Sequence, residues 1–172
     1  GLVLFRERTA IPRALVAALP NLKLISQRSV YPHIDIYACN DHGVLVCSNM
    51  QGGADSFAAA EHSWALILSA MRDIPRQMSS LQAGGWQTGV GKTLHGRRIG
   101  LYGYGRIGKQ VAHYARAFGM QVTWWGSDAG RARATADGEE VASSREAFFM
   151  ESDIVSLHVR LKPETRGIIT PQ

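Results

Sequence analysis

Arg98-Ile99-Gly100-Leu101-Tyr102-Gly103-Tyr104-Gly105-Arg106-Ile107-Gly108 is the stretch from which the rest of the chain can be read. An apolar run of strand length passes directly into Gly-x-Gly-x-x-Gly. A helical pattern then starts at Arg106 and runs to Phe118, where Gly119 stops it. The glycine spacing alone says little, because loops collect glycine. Between a strand and a helix it acquires a physical meaning. Gly103 permits the tight turn, Gly105 lets the backbone approach a pyrophosphate that a Cβ would obstruct, and Gly108 lets the helix pack closely on the strand. Tyr104 sits between the first two glycines, and the amides of Arg106 and Ile107 leave a helix N-terminus whose partial positive charge favours phosphate. The turn predicts a site for a nicotinamide dinucleotide, NAD or NADP.

Downstream, Gln121–Trp125 reads as the next strand, 130–135 as an arginine-bearing helix or turn, 145–150 as a short helix and 153–158 as a third strand. In such domains an acid about 20 residues past the turn, at the end of the next strand, binds the ribose hydroxyls. Here that strand ends Trp124-Trp125-Gly126-Ser127-Asp128, with glycine at the acid's position. Gly126 and Ser127 therefore join the candidate site. Three readings stay open: Asp128 serves the ribose, Arg131 and Arg133 face the 2′-phosphate of NADP, or all three belong to a solvated loop.

Upstream, Leu22-Lys23-Leu24-Ile25 predicts a strand leading into a polar loop over 26–33. Residues 34–40 predict one or two helical turns closed by Gly43, and Val44–Cys47 a second strand. Strand, short helix and strand is the rhythm of a parallel α/β unit. Residues 54–71 predict the longest helix, with Asp55 and Ser56 at its start and Pro75 past its end. Phe57, Trp64, Leu66, Ile67, Leu68 and Met71 cover much of its circumference, so it should be buried between layers or against a partner subunit. Residues 82–92, with Gly84, Gly85, Gly89 and Gly91, read as the connecting loop.

The chain is 45% hydrophobic and 19% charged, the composition of a globular protein. No apolar run approaches the ~18 residues that cross a bilayer, and Leu2–Phe5 is too short for a signal-peptide core. The expectation is a cytoplasmic protein without a membrane partner. The net charge is +5, but without a Lys/Arg run, zinc-finger spacing or aromatic ladder it points to no nucleic acid. Cys39 and Cys47 form neither a CxxC nor a metal ladder, so they read as thiols and no metal is expected. Of the histidines, His62 reads as a packing residue and His158 as a neighbour of the cofactor. Spacing reveals no base with its orienter.

Leu22-Lys23-Leu24-Ile25-Ser26, Ile34-Asp35-Ile36 and His42-Gly43-Val44-Leu45-Val46 resemble the substrate domain of the D-isomer-specific 2-hydroxyacid dehydrogenases. Ala60-Glu61-His62-Ser63-Trp64-Ala65-Leu66-Ile67-Leu68 resembles their interdomain helix. The stretch from Leu94 through Gly108 is similar to their cofactor signature, and Ser152-Asp153-Ile154-Val155-Ser156-Leu157-His158 and Glu164-Thr165-Arg166-Gly167-Ile168-Ile169 continue the match. The resemblance implies an α/β chain: a Rossmann-type doubly wound parallel sheet, incomplete here, plus part of a flavodoxin-like substrate domain. Residues 1–80 would belong to the substrate domain with the interdomain helix, and 81–172 to the NAD(P)-binding domain. The implied reaction moves a hydride between the nicotinamide and C2 of a small D-2-hydroxy or 2-oxo acid.

By the same resemblance, the loop Arg28-Ser29-Val30-Tyr31 presents backbone amides to the substrate carboxylate, His158-Val159-Arg160 borders the cofactor, and Thr165 caps the next helix. A homodimer built partly around 54–71 is also implied. Two positions depart from the pattern. The substrate loop reads Ser29-Val30-Tyr31-Pro32-His33 where the family is glycine-rich, and Arg160 stands where Pro is frequent, either touching a phosphate or facing water. The family's catalytic Arg, Glu and His lie downstream of the position of Gln172, so no catalytic residue is expected in these residues. The chain reads as a fragment, inactive alone, with three legible strands where such a domain has about six. The alternative implied by likeness is a dinucleotide-sensing binding protein of the C-terminal-binding-protein corepressor type.

Overall fold

β4 (Arg98–Tyr102) carries four consecutive buried residues, Ile99 to Tyr102, as a strand covered on both faces requires. It is the middle strand of a parallel sheet in the order β5-β4-β6, with β5 spanning Gln121–Trp125 and β6 spanning Ile154–Leu157. Ile99 pairs with Val122 on one side and Ile154 on the other, and Tyr102 with Trp125 and Leu157. The chain therefore moves from β4 to β5 in one direction and returns to lay β6 on the opposite side, so strand order reverses at β4. In the computed structural model, residues 1–5, 7–28, 30–48 and 57–170 are described.

The connecting helices are α5 (Arg106–Ala117), α6 (Asp128–Ala136) and α7 (Arg145–Glu151). Val111, Ala112 and Ala115 of α5 share one buried cluster with Ile99, Leu101, Val122 and Trp124. On the other face Phe148 of α7 is wholly buried. A Cβ at Gly100 would lie 2.7 Å from its ring, which explains a glycine inside the central strand.

α3 (Ala58–Met71) joins this cluster through Ala60, Trp64 and Ile67. The Trp64 ring lies 5.1 Å from that of Phe118 and 6.1 Å from that of Tyr114. The expected burial holds for this face, whereas Leu66 on α3 is 57% exposed. Chain contacts separate two units, Gly1–Asp55 and Ser56–Gln172. That division differs from the sequence boundary at 80/81 because α3 packs on α5. A second helix, α4 (Ile74–Gln82), follows α3 where the sequence suggested only a stop at Pro75. Asp73 adopts φ +54° and breaks α3, and Pro75 then lies in the first turn of α4, where its missing N–H costs nothing.

The first unit is a parallel sheet in the order β1-β2-β3, with β1 at Leu2–Phe5, β2 at Leu24–Arg28 and β3 at Leu45–Ser48. α1 (Arg13–Ala17) and α2 (Ile36–Asp41) connect the strands. Val16, Leu22, Ile25, Ala38, Cys39 and Val44 form its core. The Asp35 carboxylate caps α2 by accepting from the Ala38 amide at 2.8 Å. β2 continues through Ser26, Gln27 and Arg28, which the sequence assigned to a loop. Ladder pairing on both sides, Gln27 with Leu4 and Ser48, outweighs the low strand preference of those residues. α1 was not anticipated, since five residues carry too little periodicity. The predicted helix start at residues 54–56 lies outside the described residues.

Candidate dinucleotide-binding site

A cavity of about 560 Å³ opens at the carboxyl ends of β4, β5 and β6. Gly103, Tyr104 and Gly105 line it after β4, Gly126 and Ser127 after β5, and His158, Val159 and Arg160 after β6. These eight residues, each singled out from sequence, meet around one space together with Arg133 and Thr165. Backbone pairing holds the three strand ends together: Gly103 N donates to Trp125 O at 2.8 Å, and His158 N to Tyr102 O at 2.8 Å.

Two glycines of the turn are required by geometry. Gly103 has φ +113°, and a Cβ there would lie 2.8 Å from the His158 carbonyl oxygen. Gly108 faces the sheet, where a Cβ would meet Gly103 O at 2.8 Å and the Trp124 ring at 3.0 Å. Gly105 differs from both. Its backbone is extended, and a Cβ would meet nothing within 4 Å, so it leaves a cradle that a side chain would fill. No side chain caps α5 at that end, so the first amides, including those of Arg106 and Ile107, lack intrahelical acceptors. Arg106 is exposed and Ile107 packs against the buried cluster, so both offer backbone rather than side chain.

Tyr104 is buried edge-on to Trp124, ring centroids 4.7 Å apart. Its hydroxyl donates to Asp137 Oδ2 at 2.5 Å, and Lys109 Nζ donates to the same oxygen at 2.7 Å. Burial pushes the Tyr104 hydroxyl pKa up and the Asp137 bond raises it further. The hydrogen bonds from Lys109 and then Tyr104 hold the Asp137 carboxyl below its ordinary range. This brace ties the middle of the turn to α5 and to the end of α6.

Gly126 occupies the place expected for the ribose-binding acid. It has φ +152°, and a Cβ would lie 3.5 Å from the Gly103 Cα, so backbone geometry favours glycine there. Ser127 Oγ caps α6 by accepting from the Gly130 amide at 3.2 Å. Arg131 donates to Asp128 at 2.6 Å and to Gly126 O at 2.7 Å, with its guanidinium 4.2 Å from the Trp125 ring centre. Neither Asp128 nor Arg131 lines the cavity, whereas Arg133 does.

His158 Nε2 lies 3.0 Å from Ser156 Oγ, and burial pushes the imidazole pKa down, which keeps the ring neutral near neutral pH. His62 is exposed and fills no packing role among the described residues. Thr165, expected to cap a helix, ends a 3-10 turn at Pro163–Thr165. Its Oγ1 accepts from the N-cap Lys162 N at 2.8 Å, capping that turn from its third position, and donates to Arg160 O at 2.5 Å in the cavity wall. Lys162 and Glu164 also line the cavity and were not anticipated, because this polar loop has no periodicity to mark it.

The other predicted group lies in the first unit. Arg28 ends β2 with its guanidinium 5.6 Å from the Phe5 ring centre and borders a second cavity of about 480 Å³. The buried Gln27 amide donates to Arg28 O at 2.8 Å and Val30 O at 3.2 Å, folding the following loop back on the strand. Ser29 lies outside the described residues. Among the described residues no group of three or more His, Cys, Asp or Glu side chains could hold a metal ion. No described helix is long and apolar enough to cross a membrane.

Residues 64–172 match the family model described as D-isomer specific 2-hydroxyacid dehydrogenase, NAD binding domain. The chain belongs to the D-isomer-specific 2-hydroxyacid dehydrogenases. It is 32% identical over 173 residues to D-3-phosphoglycerate dehydrogenase of Bacillus subtilis, covering 99% of this chain and 32% of that protein. It is 34% identical to hydroxypyruvate reductase of Thermotoga maritima, covering 95% of this chain and 53% of that protein. The chain thus spans about a third to a half of the length of these relatives. The crystal structure of a phosphoglycerate oxidoreductase from Vibrio cholerae superposes with a TM-score of 0.79 at 45% identity, covering 98% of this chain and 54% of that one. The expected parallel α/β, Rossmann-type architecture of this dehydrogenase family is present, and the corepressor alternative gains no support from these relatives.

Proposed function

We propose that the protein is an NAD(P)-dependent oxidoreductase acting on the CH–OH group of a small D-2-hydroxy acid, or in reverse on a 2-oxo acid. Residues 81–172 hold the dinucleotide, and residues 1–80 supply part of the substrate domain with its interdomain helix. The observation that carries this reading is the cavity at the carboxyl ends of the strands where strand order reverses, with the Gly105 cradle opening at the uncapped start of α5. A pyrophosphate fits there, facing amide hydrogens and the positive end of the helix.

When bound, the nicotinamide supplies or accepts the hydride. The chain's own residues bind and orient. Gly103, Tyr104 and Gly105 with the amides of Arg106 and Ile107 take the pyrophosphate, and Gly108 sets how closely α5 approaches. Gly126 and Ser127 border the adenosine ribose, while His158, Val159 and Arg160 form the opposite wall. Arg28, Ser29 and Val30 receive the substrate carboxylate, and the Gln27 clamp on Arg28 and Val30 supports that assignment by shaping the loop backbone. The acid–base step is assigned to none of the described residues, and the His158 ring is tied to Ser156 Oγ at 3.0 Å.

A cytoplasmic homodimer completes the reading, with the exposed Leu66 face of α3 as its contact. The relatives' names direct the choice of substrates to be tried. The full-length protein should oxidise NADH or NADPH in the presence of glyoxylate or hydroxypyruvate, followed by nicotinamide absorbance. Absence of turnover across a panel of 2-oxo acids with both cofactors would overturn the proposal.

A further inference from the structure

Four features of the cavity bear on which dinucleotide it takes. The acid that would accept both ribose hydroxyl protons is replaced by Gly126, whose φ of +152° an L side chain rarely adopts. The nearest carboxylate in sequence, Asp128, lies off the cavity and is neutralised by Arg131. Three cations, Arg133, Arg160 and Lys162, line the cavity against the single carboxylate of Glu164. Among the described residues none of those three is held in an ion pair, and the bond from Arg133 to Tyr104 O is long, at 3.4 Å.

Arginine and lysine side chains are donors only. They cannot accept from ribose hydroxyls as a carboxylate does, but they match the doubly charged phosphate that distinguishes NADP from NAD. Arg133 stands on α6, which begins directly after β5 where the ribose is expected. Arg160 reaches the same cavity from the segment after β6. Ser127 Oγ accepts from Gly130, which leaves its own hydrogen free to donate to a phosphate oxygen.

We propose that this cavity selects NADP(H) over NAD(H), with Arg133 and Arg160 gripping the 2′-phosphate from two walls and Ser127 donating a third hydrogen bond. The inference rests on the dinucleotide reading above and adds the choice between the two cofactors. Lys162 supplies long-range attraction and Glu164 limits the excess of positive charge.

The test is a fluorescence titration of the full-length protein with NADPH and NADH separately, for the natural sequence and for Arg133→Ala, Arg160→Ala and the double variant. NADPH should bind at least about tenfold more tightly than NADH, the worth of one or two charge-assisted hydrogen bonds. The double variant should bring the ratio close to one, by lowering NADPH affinity far more than NADH affinity, because only NADPH carries the phosphate that the two guanidinium groups would pair with. NADPH affinity should also fall more steeply with salt than NADH affinity. NADH bound as tightly as NADPH, or variants that weaken both equally, would overturn the selection. Binding of neither cofactor would instead bring down the dinucleotide reading itself.

Discussion

Gly108 on α5 packs directly against Trp124 on β5, so close that a Cβ on the glycine would lie 3.0 Å from the indole ring. The helix that presents its N-terminus to the cavity is thereby set at the separation a hydrogen atom allows. The Trp124 side chain cannot retreat easily, because it is wholly buried and its Nε1 donates to Glu139 at 2.8 Å.

Gly108→Val should therefore cost about 1–3 kcal/mol through overpacking. Urea denaturation followed by tryptophan fluorescence would read it as a lower midpoint at unchanged slope. An unshifted midpoint would mean that α5 slides without penalty.

Gly105→Val should behave in the opposite way. The site is open and its backbone extended, so stability should move by no more than about 1 kcal/mol. Dinucleotide affinity should drop tenfold or more, since the side chain enters the space left for a pyrophosphate. Calorimetry on the two glycine variants side by side separates packing from binding, and equal affinity in Gly105→Val and the natural sequence would refute the assignment.

Tyr104→Phe should lower Tm by a few degrees, because the buried ring stays while its bond to Asp137 is lost. The Asp137 carboxyl is held below its ordinary value, so its contribution is present above the unfolded pKa of about 4 and lost as pH falls through the lower folded value. The stability difference between the natural sequence and Asp137→Asn should accordingly be widest near neutrality and close at low pH. A gap independent of pH would show that the brace does not act through the charge.

His158 titrates with the same sign for a different reason. Burial lowers its folded pKa below the unfolded value of 6.5, so the stability of the neutral ring is full above about pH 6.5 and declines as pH falls through the folded value. His158→Asn should flatten the dependence of Tm on pH between neutral and mildly acidic conditions. The same acid sensitivity in variant and natural protein would place its origin elsewhere.

Sequence alone determined the local elements that depend on neighbours in the chain. The strand at 98–102, the glycine turn and the helix from Arg106 were legible because a change of period from strand to helix, with glycines at fixed offsets, is a local property. The strand at 121–125 was legible for the same reason, as was the vacancy of the acid position at Gly126. Tertiary structure decided the rest. Ser26, Gln27 and Arg28 became strand because β1 and β3 flank them, and α4 formed with Pro75 in its first turn because Asp73 could turn the chain. Only the meeting of three strand ends brought Arg133 and Arg160 to one cavity, though 27 positions separate them in the chain. Only packing showed that Arg131 is spent on Asp128 and Gly126. Charges far apart in sequence leave no periodic trace of which will share a space, and that sharing is what distinguishes a phosphate site from a solvated loop.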